Sequence, residues 1–253
     1  MKRRHACIFC GSRHELSKEH VWGMWIRKLS DPPGVVGLER WRVRRGEELF
    51  RHKSATTNLF SVRLRVVCKR CNNEWMSTLE KATIPVLSRL VRGLETDLTP
   101  NHQHQLAAWA TKTAMVLEFL DVPKGKESTF VTDEVRSSFR LDRTPLPHSQ
   151  IWLATYESDK PVEPFRSERH EVSGPRHASS KDYLLLTTFV VGRAVFRVAF
   201  KGDPKDVGEF TVSKSVKDVS GEIWPVVDLW RWPPPIALDS HSLRAFGSIK
   251  TTR

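Results

Sequence analysis

The chain has no apolar run near the roughly 18 to 20 residues that a membrane span requires. It lacks a Walker loop, a dinucleotide-binding glycine fingerprint, a Gly-x-Ser-x-Gly elbow and any internal repeat. Those absences exclude the common nucleotide-dependent, Rossmann and serine-hydrolase readings. The basic start MKRRHACIFC has cysteines where a secretory leader would carry its apolar core, so a cytoplasmic location is expected. Acidic charge is scarce in one place: residues 1 to 70 hold 17 Lys and Arg against 6 Asp and Glu, a net +11 of the chain's +12. Charge segregated in this way suits a polyanion such as nucleic acid rather than a solubilising surface.

What is present describes a globular protein. Hydrophobic residues make up 39% of 253 positions, with nine Trp and twelve Phe, enough for one large or two modest cores. The pattern is α+β and divides at about residue 95, into a unit over 1–95 and a second over 96–253. NNEWMSTLEKA from Asn72 reads as a helix with Trp75, Met76 and Leu79 on one side, and Pro85 is expected to break it and open a second, short helix. NHQHQLAAWATKTAMVLEFLD gives a long helix, and Thr132 caps another in TDEVRSSFR. Beyond residue 148 the period becomes two: SQIWLATYE, then DYLLLTTFVVGRAVFRVAF folded at Gly192-Arg193, then GEFTVSK as a further strand. EIWPVVDLWRWPPPIAL closes the chain, and the second unit reads as helices packed on a small antiparallel sheet.

Only four cysteines occur, and all fall in two Cys-x-x-Cys pairs: Cys7 with Cys10, and Cys68 with Cys71. In a reducing compartment that spacing points to a closed tetrathiolate zinc site, structural because no coordination position is left for water. Glu19-His20 lies between the pairs, and Asn72 follows the second directly. A carboxylate, an amide oxygen and an imidazole suit a hard divalent ion beside a general base.

The order Cys-x-x-Cys, Glu-His, Cys-x-x-Cys-Asn entering a helix resembles the zinc-anchored branch of the HNH, or His-Me finger, endonucleases; CIFCG, LSKEHVW and VCKRCNNEWMSTLE carry the likeness. A looser resemblance, to HNH proteins with CNN-x-WM-x-x-LE, WA-x-KTA and VGR, extends over WATKTA at 109–114 and VGR at 191–193. The resemblance implies a ββα-metal unit at the N-terminus that hydrolyses phosphodiester bonds of DNA. Glu19 and Asn72 would hold Mg²⁺ or Mn²⁺, and His20 would be the general base. Cys7, Cys10, Cys68 and Cys71 would hold the structural zinc. The chain departs from the family in having Val21 where a proline often follows the histidine. Asn58 stands ten residues before Cys68, further than the family's middle asparagine, and is not assigned that role.

Arg40, Arg42, Arg44 and Arg45 of the insertion, with Lys69, Arg70 and Asn73, are the expected phosphate contacts; Asn73 reads equally as a helix cap. Glu80 reads as a solvent-side helix residue, and Trp75, Trp109 and the tryptophans between 224 and 232 as core rather than base-stacking platforms. The competing functions are a zinc-stabilised nucleic-acid-binding module without catalysis, and a nuclease effector silent until a partner arrives in a defence or mobile-element system. The second unit is open to three roles, dimerisation, clamping of the duplex or binding of a partner protein, and its sequence does not choose among them.

Overall fold

The computed structural model describes residues 6–13, 15–29, 36–44, 47–57, 63–120, 129–146, 148–157, 165–172, 182–201 and 214–246. It is α+β with small antiparallel sheets. Near the N-terminus β1 (Leu16–His20) pairs with β4 (Arg63–Cys68); between them lie the short helix α1 (Met24–Arg27) and a separate hairpin of β2 (Val36–Arg44) and β3 (Glu47–Thr57). The chain leaves β4 directly into a helical run: α2 (Lys69–Cys71), a π-helical turn over Asn72–Met76, and α3 (Ser77–Val91). The expected break at Pro85 does not occur, because Pro85 lies on the exposed side of α3 beside Lys81 and Ala82, where water can meet the carbonyl it leaves unpaired.

A short strand, β5 (Thr96–Leu98), leads to α4 (Pro100–Leu117), whose Thr99 cap accepts from the His102 N–H. Its interior from Leu106 to Leu117 is buried on every face, so the helix is a central rod rather than an amphipathic cover. The helix α5 (Asp133–Asp142) is capped by Thr132 as its sequence suggests. The main sheet has five antiparallel strands, in the order β10 (Ser220–Trp224), β6 (Gln150–Thr155), β9 (Ala194–Lys201), β8 (Asp182–Val191) and β7 (Phe165–Val172). The closing segment adds β11 (Trp230–Trp232) against β5, and the short helices α6 (Lys214–Val219) and α7 (Ser240–Phe246) complete the fold. The strand expected over GEFTVSK lies outside the described residues except for Lys214, which begins α6.

Elements on both sides of residue 95 share one apolar core. Trp22, which follows β1, meets Phe189 of β8 with ring centroids 5.8 Å apart, and Trp109 of α4 meets both Phe189 and Phe196. Trp75, Trp109 and Trp232 are buried, as their pattern suggests.

Two polar contacts lock this packing. The Gly192-Arg193 turn between β8 and β9 sits on the end of α3, where the Arg193 N–H donates to the Val91 carbonyl at 3.0 Å. Gly192 has φ +57°, and a Cβ there would lie 2.5 Å from that carbonyl oxygen. Glu80 is not on the solvent side: its carboxylate accepts from the buried Lys112 ammonium of α4 at 3.1 Å. With one oxygen on Lys112, the other lies close behind Gly23, in the turn that follows His20. Truncating Glu80 strands a buried cation. Glu80→Ala should therefore cost about 3 kcal/mol in urea unfolding, and Glu80→Leu combined with Lys112→Met should cost clearly less. Equal losses in the two variants would contradict the buried-pair account.

Candidate metal centre and the β1–β4 ladder

The four cysteines come together: the Sγ atoms of Cys7, Cys10, Cys68 and Cys71 all lie within 4.8 Å of one another, with Cys10 and Cys68 3.6 Å apart. Cys7 and Cys10 belong to a turn closed by the Gly11 N–H on the Cys7 carbonyl, with Gly11 at φ +67°. The Ile8 N–H donates to Val66 of β4, and the Lys69 N–H to the Glu15 carbonyl ahead of β1. Each pair is thus tied by backbone bonds to the segment that carries the other. The Cys71 N–H points at the Cys68 sulfur at 3.4 Å, the amide-to-sulfur contact that steadies a thiolate.

The thiols do not share their protons evenly. Cys7 is pulled down to about 4, chiefly because Cys71 donates to it, with help from the backbone N–H groups of Cys68, Phe9 and Cys10 and against the cost of burial. Cys71 is pushed up for the reciprocal reason, and burial pushes Cys10 up. Cys7 thus gives up its proton easily, whereas Cys10 and Cys71 hold theirs until a cation replaces them. Donor chemistry and spacing both fit a metal such as zinc: four sulfurs at 2.3 Å from a tetrahedral ion lie about 3.8 Å apart. The buried Trp75 indole N–H, without a hydrogen-bond partner of its own, faces the Cys71 sulfur closely enough to favour its thiolate.

Directly after Cys71 the helix takes its π turn, the Ser77 N–H reaching the Asn72 carbonyl five residues back. Such turns insert one extra residue and recur at functional sites; nothing in CNNEWM signals it by periodicity. Asn72 is half-buried and its side-chain N–H donates to Asn73 Oδ1 at 3.3 Å. Lys69 and Arg70 are exposed, in loose surface pairs with Glu15 (3.9 Å) and Glu74 (3.5 Å).

Glu19 and His20 stand at the other end of the ladder. Leu16 faces Cys68, Glu19 faces Leu64 and His20 faces Arg63, so His20 is four positions, about 13 Å, along β1 from the level of the cysteines. A bulge in β4 intervenes between Ser17 and Glu19. His20 is half-buried, and its Nε2 accepts from Arg63 Nε at 2.9 Å. The structure therefore gathers the four thiols; Glu19 and His20 lie at the end of the β1–β4 ladder away from Cys68, and Asn72 opens the helical turn that follows Cys71. Arg63 was not singled out by the sequence; its place opposite His20 depends on the bulge. Arg45 and Asn58, and the side chains of Glu19, Arg40, Arg42 and Arg44, lie outside the described residues. Among the described residues, no helix is long and apolar enough to cross a membrane.

No family model, curated protein or solved structure matches the chain. Its chemistry is read from its own geometry. Metal analysis of the purified protein should find one tightly held ion per chain, lost in Cys68→Ser. Because protons compete for the sulfurs, the ion should be released as pH falls, and a metal-sensitive dye would follow it. A wild-type protein free of metal, with an unchanged fold, would refute the site.

Proposed function

We propose that the chain is a metal-dependent nuclease of the HNH type, cutting phosphodiester bonds of DNA. The observation that carries the reading is the four-sulfur cluster, which joins the turn ahead of β1 to the end of β4 and to α2, with an acid-histidine pair on β1 and Asn72 opening the helical turn after Cys71. Zinc in the cluster is structural in this reading, since four thiolates leave it no open position. The exposed side chains of Arg63, Arg65, Lys69 and Arg70 supply positive charge along the same ladder. Surface ion pairs such as those of Lys69 and Arg70 are weak enough to yield to phosphate.

Glu19 and Asn72 would hold a second, hard cation, Mg²⁺ or Mn²⁺, which when bound would neutralise charge on the scissile phosphate. His20 takes a proton from the attacking water as its oxygen bonds to phosphorus. The bond from phosphorus to the 3′ oxygen breaks, and that oxygen is protonated from solvent.

The test is nicking of supercoiled plasmid with Mg²⁺ or Mn²⁺. His20→Ala should slow it by about 10²- to 10⁴-fold with metal content and DNA affinity unchanged, and Asn72→Ala should raise the Mn²⁺ concentration required. Absence of nicking by the wild-type protein, alone and with the products of neighbouring genes, would leave a zinc-stabilised nucleic-acid-binding module. Full activity in Asn72→Ala would move the second ligand elsewhere.

A further inference from the structure

We infer that Arg63 is a positioning residue that holds His20 out of action until nucleic acid arrives, an inference that rests on the nuclease reading of the same site. Arg63 Nε donates to His20 Nε2 at 2.9 Å across a directly facing pair of β4 and β1. A guanidinium has only donors, so the imidazole nitrogen that meets it is unprotonated and its lone pair is occupied. His20 is thereby fixed with any ring proton on Nδ1, and Nε2 is the atom that must be vacant to take a proton from water. In the free protein that atom is covered.

The cover is removable. Arg63 is exposed, and its bond is to a neutral ring nitrogen. A phosphate oxygen is charged, fits the guanidinium fork with two parallel bonds, and wins the exchange. Arg65 is also exposed, two residues further along β4. Two strand positions span about 6.6 Å, a step suited to neighbouring phosphates of one nucleic-acid strand. Binding of the backbone thus draws Arg63 off His20 and uncovers Nε2 where the scissile phosphate is held. The base becomes competent only when substrate is present, and free water meets a blocked imidazole.

The experiment is ¹⁵N NMR of histidine-labelled protein at pH 8, the His20 ring signals being assigned by their loss in His20→Gln. It is run with and without a short DNA duplex and with no Mg²⁺ or Mn²⁺, so nothing is cut. Wild-type protein alone should show Nδ1 protonated and Nε2 as acceptor. Arg63→Ala should raise the Nε2-protonated fraction at least threefold. Arg65→Ala, which removes the same charge and keeps the Arg63–His20 bond, should leave the ring signals close to those of wild type. Duplex added to wild-type protein should move them in the direction of Arg63→Ala. Identical spectra for wild type and Arg63→Ala, or no response to duplex up to the solubility limit, would overturn the inference. The nuclease reading is judged separately by plasmid nicking: spectra that behave as described in a protein that never nicks would sink that reading and leave the Arg63–His20 contact standing.

Discussion

Four sulfur atoms crowded within 4.8 Å are the constraint on which the N-terminal unit depends. Left to themselves they repel, because removing a second proton puts like charges side by side in a mostly buried setting. A divalent ion turns that repulsion into attraction and ties a loop near residue 7 to a strand end near residue 68. The 57 residues between Cys10 and Cys68 include the β2–β3 hairpin. An ion that binds only when these two ends meet adds its binding energy to folding.

Around this clasp the rest of the chain works as a frame. The helix that leaves Cys71 lays Trp75, Met76 and Leu79 into the core, presents Glu80 to Lys112 of α4, and ends against the Gly192 turn of the main sheet. The three short stretches that the looser resemblance singled out, in the Cys71 helix, in WATKTA and in VGR, are thus physical neighbours in sequence of contact: Glu80 with Lys112, Val91 with Arg193. Their joint occurrence has a packing explanation independent of any chemistry. Because the second oxygen of Glu80 lies behind Gly23, the same frame also supports the turn just after His20.

The elements that sequence revealed are those with a strong local signature. Cysteine spacing found the cluster, period-two hydrophobicity found β6, β8 and β9, Gly192-Arg193 marked their turn, and Thr132 marked the start of α5. What stayed hidden depends on neighbours distant in the chain. Pro85 reads as a break because only the tertiary fold puts its exposed face toward water. Glu80 reads as a surface residue because its partner is 32 positions away. The bulge that brings Arg63 opposite His20, and the π turn at Asn72, are shifts of one residue that no periodicity encodes. Ladder length was equally invisible: the register puts His20 opposite Arg63, four positions along β1 from the level of Cys68.

The most direct test of the clasp is X-ray absorption at the metal edge of the protein as isolated. The account predicts a zinc edge whose first shell is four sulfurs at about 2.3 Å, with no nitrogen or oxygen neighbour. A first shell holding two or fewer sulfurs, or one filled by histidine or water, would contradict it.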